Sequence, residues 1–564
     1  MQKNRNVVWI LAGICICSLF LFLGESYFHT KGEPREAVVA LAMLEKGNWI
    51  LPVNNGVDIA YKPPLFHWCI AVCSAVIGTV TEYTSRMPSA IALMAMVMVG
   101  YAFFAKRRGR EVAFVMALLT LTNFEVHRAG TNCRVDMLLS ALMVIALYQL
   151  YKWGEKRLRG IPWIAILCLS GAFLTKGPVG MVLPCLVTAV FLWVRGMDFW
   201  RLFFSFFGVA LASCVLPFAW YVAAYRQGGE EFLQLVLEEN VLRFLGKMSY
   251  ESHENPAYYN VVTVLAGYVP YTLLVLISLF ALKYRKVQAK PREWWGRLKA
   301  YIRTMDNTRL FSLLSIVIIF VFYCIPKSKR SVYLLPIYPF IAYFLAEYIL
   351  YLVRVRPVVM KIFGSIMASV SILLLLVFFS LRMGWVPDTI FSGRHAEENR
   401  AFMHALETVP LDVVSWFLIG AMLVAVKCFI SSLRKKDVRM IHYDVFFIVF
   451  TIFLSLDGLF QPPVLNVKSQ KPIAESIARI VPQGTVYSYQ LNEVKGNPLR
   501  QFIVNFYLGD RVVPFYAVSP VQGYMVAEEV EIAVFKEEHP DYRVEEIPIG
   551  DYRLRLYQFK KNTE

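Results

Sequence analysis

Residues 86–128 read RMPSAIALMAMVMVGYAFFAKRRGREVAFVMALLTLTNFEVHR. Two apolar runs, 86–105 and 111–128, flank the basic knot Lys106-Arg107-Arg108-Gly109-Arg110. A helix crosses a bilayer in about 20 apolar residues, and four cations in five positions are too costly to place in hydrocarbon. The stretch therefore reads as two membrane-spanning helices joined by a tight basic turn. That turn belongs on the side where Lys and Arg collect, the cytoplasmic face.

The pattern repeats in both directions. Candidate spans fall at 7–24, 86–105, 111–128, 134–151, 161–175, 178–194, 202–225, 259–282, 309–325, 332–353, 358–381, 411–430 and 441–460, about thirteen in all. Two of them, 161–175 and 178–194, are short and flank Thr175-Lys176-Gly177-Pro178, as a pair of tight crossings or a re-entrant hairpin. Every second connection is basic: Lys106–Arg110, Lys152–Arg159, Arg195–Arg201, Lys283–Arg309, Arg354–Lys361 and Arg434–Arg439. The N-terminus is then cytoplasmic, and the segment after MQKNRN is a retained first helix with no small-residue cleavage site behind it.

Composition agrees. Of 564 residues, 57% are hydrophobic and only 18% charged, against roughly 25% in soluble proteins. These values exclude a string of soluble domains, a disordered chain and a collagen-like one. The ten cysteines all precede residue 430 and form no Cys-x-x-Cys pair, so a zinc ribbon or disulfide framework is not expected. The formal charge of +17 is spread along one membrane face, which argues against nucleic-acid binding.

The opposite face receives the loop at 25–85, the loops at 226–258 and 382–410, and the tail. The expected division is a membrane domain over 1–463 and a small α/β domain over 464–564. In the tail the pattern predicts helices over 470–480 and near 498–508, with strands at Thr485–Tyr489, Val512–Val518, Glu531–Phe535 and Tyr552–Phe559. The fold class is thus mainly α and polytopic, with an α/β extracytoplasmic appendage.

The 25–85 loop is long for a connector, and long ordered loops are usually functional. Glu33-Pro34-Arg35-Glu36 opens a helix that ends at Gly47, and its apolar stripe suits a membrane surface. A short extended turn at Asn54–Asp58 follows, then Tyr61-Lys62-Pro63-Pro64 starts a second apolar helix. Helix capping by Glu33 and snorkelling by Lys62 are the plain readings of these charges.

A second anomaly is that the outer ends of the spans carry cations where orientation disfavours them: Lys62, Arg86, Arg128, Arg134, Lys176, Arg243, Lys327, Lys329 and Arg330. Asp136, Glu125 and Glu239 lie at similar depth. Interhelical ion pairing accounts for some of these. The set as a whole suits a phosphate carried on a lipid. Lys327 to Tyr333 is its densest cluster, and the Tyr333 hydroxyl is available at the next helix start.

These residues resemble a known family. Glu33-x-Arg35, Gly47-Asn48-Trp49, Lys62-Pro63, Asp136, Thr175-Lys176-Gly177, Glu239 to Arg243-Phe244, His253-x-x-Pro256, Lys327-x-Lys329 and Tyr333 follow the order and spacing of the lipid A aminoarabinose transferases. These are GT-C glycosyltransferases related to the protein O-mannosyltransferases. The likeness covers roughly residues 5–350. It implies a polyprenyl-phosphate-linked sugar donor, a lipid or glycan acceptor such as lipid A, inverting transfer, and a bacterial inner-membrane location. It also implies Glu33 and Asp136 as catalytic carboxylates, and Arg35, Lys62, Lys327, Lys329 and Tyr333 as ligands of the donor phosphate. Tyr61, Arg134, Lys176, Glu239, Asn240, Arg243 and His253 complete the expected cavity. Tyr61 stands where the family carries Glu, and Asn240 where it often has His; these departures bear on acceptor, sugar and metal. No cofactor is required by the residues, and a divalent metal stays open.

On this reading Glu33→Gln and Lys62→Ala abolish transfer at normal protein level. The competing classes are a protein O-mannosyltransferase-like enzyme with another acceptor, and a transporter, which lacks support in any internal repeat.

Overall fold

The computed structural model describes residues 2–238, 254–256, 258–282, 291–491, 500–550 and 552–562. Each of the expected spans coincides with helix. Among the described residues, eight helices are long and apolar enough to cross a membrane, or nine if the bent pair Tyr259–Gly267 and Tyr271–Ala281 is one span. The others are shorter apolar helices: Asn6–Phe20, Trp163–Lys176 and Val179–Val194, and Arg110–Leu121 followed by Phe124–Gly130. The chain is a multi-pass membrane protein.

The ends of these helices are set by local chemistry. Thr81 accepts from the Thr84 amide in a capping box at the start of Glu82–Arg108, and Asp198, Asp306 and Asp412 cap Phe199–Leu237, Asn307–Cys324 and Val413–Lys435 in the same way. The basic residues that close Glu82–Arg108 and Val413–Lys435 sit at the negative ends of the helix dipoles. Phe199–Leu237 runs 39 residues through a kink at Gly229, so the expected 226–258 loop begins as a continuation of the helix, through Leu237.

Glu82–Arg108 spans about 40 Å at 1.5 Å per residue and fixes two poles. At its C-terminal pole Arg108 pairs with Glu347 and lies 3.5 Å from Asp306, while Arg309 reaches Glu347 at 2.9 Å. Arg195 donates to the carbonyls of Arg303 and Met305 at this pole. At the N-terminal pole Arg86 is buried against Glu33. Trp163–Lys176 and Val179–Val194 therefore run to the Lys176 pole and back to Arg195, a tight antiparallel pair broken at Gly177-Pro178.

In the 25–85 loop, helix Gly32–Lys46 is followed by a two-stranded hairpin, β1 (Val53–Asn54) and β2 (Asp58–Ile59), and by helix Leu65–Ile77. The apolar stripe of the first helix is covered by protein. Ala37, Val38 and Ala40 are covered by Phe66, Ile70 and Ala71 and by Phe506 of the tail.

The tail folds around a five-stranded mixed sheet: β3 (Val486–Ser488), β4 (Val512–Pro514), β5 (Gln522–Glu528), β6 (Tyr542–Ile547) and β7 (Leu554–Lys561), in the order β4-β3-β5-β7-β6. β3 is parallel to β4 and β5; β7 is antiparallel to β5 and β6. Helices Lys471–Ile480 and Phe502–Tyr507 match expectation. The expected strand Glu531–Phe535 is instead helix Glu529–Glu538, started by a Glu528–Glu531 capping box. The expected strand at Val512–Val518 stops at Pro514, which cannot donate to a ladder, and Phe515–Val518 turns helical.

Candidate active site

A cavity of about 400 Å³ lies at the Arg86 pole between the 25–85 loop and the helix ends. Its polar wall is formed by Arg35, Glu36, Tyr61, Lys62, Arg134, Asp136, Thr175, Lys176, Ser328, Arg330 and Tyr333. Its apolar wall is Val135, Val179, Val182 and Phe322, with Pro63, Pro178 and Pro326. A lining that combines several cations with apolar side chains suits an amphiphile with an anionic head.

Glu36 is the organising carboxylate. Only 3% exposed, it accepts from Arg35 Nη2 at 2.8 Å, from Lys62 Nζ at 3.3 Å and from His67 Nε2 at 2.8 Å. Burial works to raise its pKa, but Lys62, Arg35 and the His67 hydrogen bond outweigh burial and hold the carboxyl well below the usual carboxylate range. Such a group is a weak base at neutral pH; it gathers cations.

Across the cavity Asp136, the second residue of helix Val135–Glu155, accepts from Lys176 Nζ at 2.5 Å. The same ammonium lies 4.4 Å from the centre of the Tyr333 ring, a cation–π contact. Tyr333 stands 5.5 Å from Tyr323, ring to ring. Arg134 is laid over Gly32, where an added Cβ would come within 2.3 Å of its guanidinium. A side chain at position 32 would push Arg134 aside.

Glu33 is not in the cavity. It is 1% exposed, bound in a two-pronged pair by Arg86 at 2.9 and 3.1 Å, and accepts from the Cys133 amide at 2.8 Å. Burial raises its pKa and is overcome by Arg86 and the Cys133 amide, so the carboxyl stays ionised as a structural tie. Arg86 also donates to the carbonyls of Leu23 and Ser26. Lys329 is likewise turned away: its ammonium is spent on the carbonyls of Pro326 and Asn255. Lys327 is exposed outside the cavity lining, and Arg330 is the cation that this segment contributes. Arg35, Tyr61, Lys62, Arg134, Asp136, Lys176 and Tyr333 do come together. Glu239, Asn240, Arg243 and His253 lie outside the described residues.

Sequence reasoning missed Glu36 as the cavity carboxylate and His67 as its support. Glu33 and Glu36 are three residues apart on one helix face, so spacing does not separate them. Among the described residues no three His, Cys, Asp or Glu side chains come together as a metal site.

Fold and cavity together describe a polytopic membrane protein with a charged cavity at one pole. The family described as dolichyl-phosphate-mannose-protein mannosyltransferase matches residues 61–221. The undecaprenyl phosphate-alpha-4-amino-4-deoxy-L-arabinose arabinosyl transferase 2 of Proteus mirabilis is 27% identical over 361 residues, 62% of this chain and 61% of that one. Its counterpart from Shewanella sediminis is 25% identical over 397 residues, covering 69% and 68%. An uncharacterized protein of Aquifex aeolicus is 25% identical over 345 residues, 60% and 64%. The chain thus spans somewhat under two thirds of the length of the first of these curated relatives. The crystal structure of ArnT from Cupriavidus metallidurans bound to undecaprenyl phosphate superposes with a TM-score of 0.71 at 18% identity, over 98% of this chain and 97% of that one. The chain is thus similar to arabinosyl transferases of this type over 62% and 69% of its length.

Proposed function

We propose that the chain is an integral-membrane glycosyltransferase that moves a sugar from a polyprenyl-phosphate donor to an envelope acceptor such as lipid A, with inversion. One observation carries the reading: Arg35, Lys62, Arg330 and Lys176 converge with two buried carboxylates on a cavity that is also lined by apolar side chains. Its similarity to the undecaprenyl phosphate-alpha-4-amino-4-deoxy-L-arabinose arabinosyl transferases supports it.

The sugar on such a donor already has a good leaving group, so the task is to stabilise the phosphate as the glycosidic bond breaks. Arg35 and Lys62, preset by Glu36, meet that charge without reorganisation. The Tyr333 hydroxyl adds a donor at the same cavity. The acceptor oxygen attacks from the face opposite the phosphate; Asp136, steered by Lys176, orients it and takes its proton if it is a hydroxyl. An acceptor phosphate is already ionised and needs no base. Holding two amphiphiles in one slot supplies the entropic part of the barrier. Glu33 is reassigned to structure.

In the reading offered here the N-terminus is cytoplasmic and the cavity opens at the outer face of the bacterial inner membrane, beside a tail domain over 464–564 in the periplasm. The unbroken alternation of basic loops supports this. Membrane lipids and the two lipid-linked substrates are the partners.

Mass spectrometry of lipid A and of envelope glycoproteins, from cells with and without the chain, tests the function. A sugar-sized mass loss on lipid A upon deletion is expected, restored by wild type and not by Lys62→Ala. Loss on glycoproteins alone would favour the protein mannosyltransferase-like alternative, which the match over residues 61–221 keeps in view.

A further inference from the structure

We infer that the tail domain acts on the cavity through the β1–β2 hairpin, and that Asp510 is the positioning residue that sets where Lys62 stands. This rests on the reading of Lys62 as a ligand of the donor phosphate. Each strand of the hairpin is two residues long, too short to hold its own geometry in water. Its support comes from the tail.

Asp510 Oδ1 accepts from the Asn55 amide at 2.7 Å and from Asn505 Nδ2 at 2.8 Å, and Oδ2 accepts from Lys46 Nζ at 2.6 Å. Lys46 also donates to the Val53 carbonyl at 2.9 Å, and Asn505 Nδ2 to Asn55 Oδ1 at 2.5 Å. Asn55, Asn505 and Asp510 are 2%, 0% and 7% exposed. A second tie is the fork of Arg500 on Asp58, at 2.9 and 2.8 Å. Gly56, with φ +76°, sits under Val513, whose side chain an added Cβ would meet at 2.7 Å.

The mount is close to the site in sequence and in space. Beyond β2 the Ala60 amide donates to the Pro52 carbonyl and the Tyr61 amide to that of Ile59. Lys62 comes next and reaches Glu36. Buried, charge-assisted networks of this kind are rigid when every member is satisfied. Removing Asp510 strips an acceptor from three donors at once and frees the hairpin to shift. Misplacement by about 1 Å at a reacting centre costs on the order of 100-fold.

The test is titration of undecaprenyl phosphate into the purified full chain in detergent, for wild type, Lys62→Ala, Asp510→Ala, Asp510→Asn and the Lys62→Ala/Asp510→Ala double variant. Lys62→Ala and Asp510→Ala are each expected to weaken binding by about tenfold or more. The double variant should bind no more weakly than Lys62→Ala alone. Asp510→Asn keeps an oxygen for Asn55 and Asn505 but turns an amide nitrogen toward Lys46, and should bind between wild type and Asp510→Ala. A merely structural role would instead multiply in the double variant. Wild-type affinity in Asp510→Ala, or multiplied losses, overturns the positioning role and leaves the function standing. Wild-type affinity in Lys62→Ala overturns the donor-site reading and this inference with it. If Asp510→Ala does not fold, Arg500→Ala cuts the second tie and is read by the same rules.

Discussion

Glu33 and Glu36 stand one turn apart on the same helix and serve different ends. Arg86 and the Cys133 amide claim Glu33, while Arg35, Lys62 and His67 converge on Glu36. Breaking a fully buried ion pair costs about 3–5 kcal/mol, so Glu33→Gln should lower the thermal unfolding midpoint in detergent and leave donor binding intact in the folded fraction. Glu36→Gln should lower the midpoint as well and, unlike Glu33→Gln, cut transfer in the folded fraction by about 100-fold. The depressed pKa of Glu36 also fixes a sign. Its stabilisation is complete above the unfolded carboxyl value, about 4.3, and is lost as pH falls through the lower folded value. The gap in unfolding temperature between wild type and Glu36→Gln should stay constant from neutral pH to about 5 and close only below about 4. The cluster of charges in Gly32–Glu36 and Lys327–Arg330 was legible as a site. Which member points inward was not, because Arg86 and the Asn255 carbonyl, both far away in sequence, decide it together with the nearby Pro326 carbonyl.

At the scale of elements, helices with caps and long apolar runs were readable to within a few residues, as Glu82–Arg108 and Lys471–Ile480 show. The short turn at Asn54–Asp58 was legible, its hairpin pairing was not: Asn55 and Gly56 stand at positive φ, 48° and 76°, within the three-residue connection between the paired Asn54 and Asp58. Less readable was Glu529–Glu538, where VEIAVF mimics strand alternation and only the Glu528–Glu531 box marks a helix start. The burial of Gly32–Lys46 was hidden because its apolar stripe fits lipid and protein equally; Phe506, over 400 residues away, covers it. Gly56→Ala carries a Cβ into Val513 at a conformation that disfavours it. That substitution should weaken undecaprenyl phosphate binding while the membrane helices unfold at an unchanged temperature, as followed by circular dichroism.

The whole molecule has two poles of charge with different meanings. At one, Arg108, Arg309, Glu347 and Asp306 are paired among themselves, and the surplus of cations there is an orientation signal. At the other, the cations line a cavity together with apolar side chains. Impermeant thiol labelling should modify Ser519→Cys in the tail and spare Arg110→Cys in spheroplasts, in a background lacking the exposed native Cys17; the opposite result would invert the topology. The central claim is that the cavity at the Arg86 pole holds a lipid phosphate through Lys62. Native mass spectrometry of the protein released from detergent measures it directly. Wild type and folded Glu33→Gln should each carry one polyprenyl phosphate and Lys62→Ala none. Equal occupancy in Lys62→Ala would contradict the account.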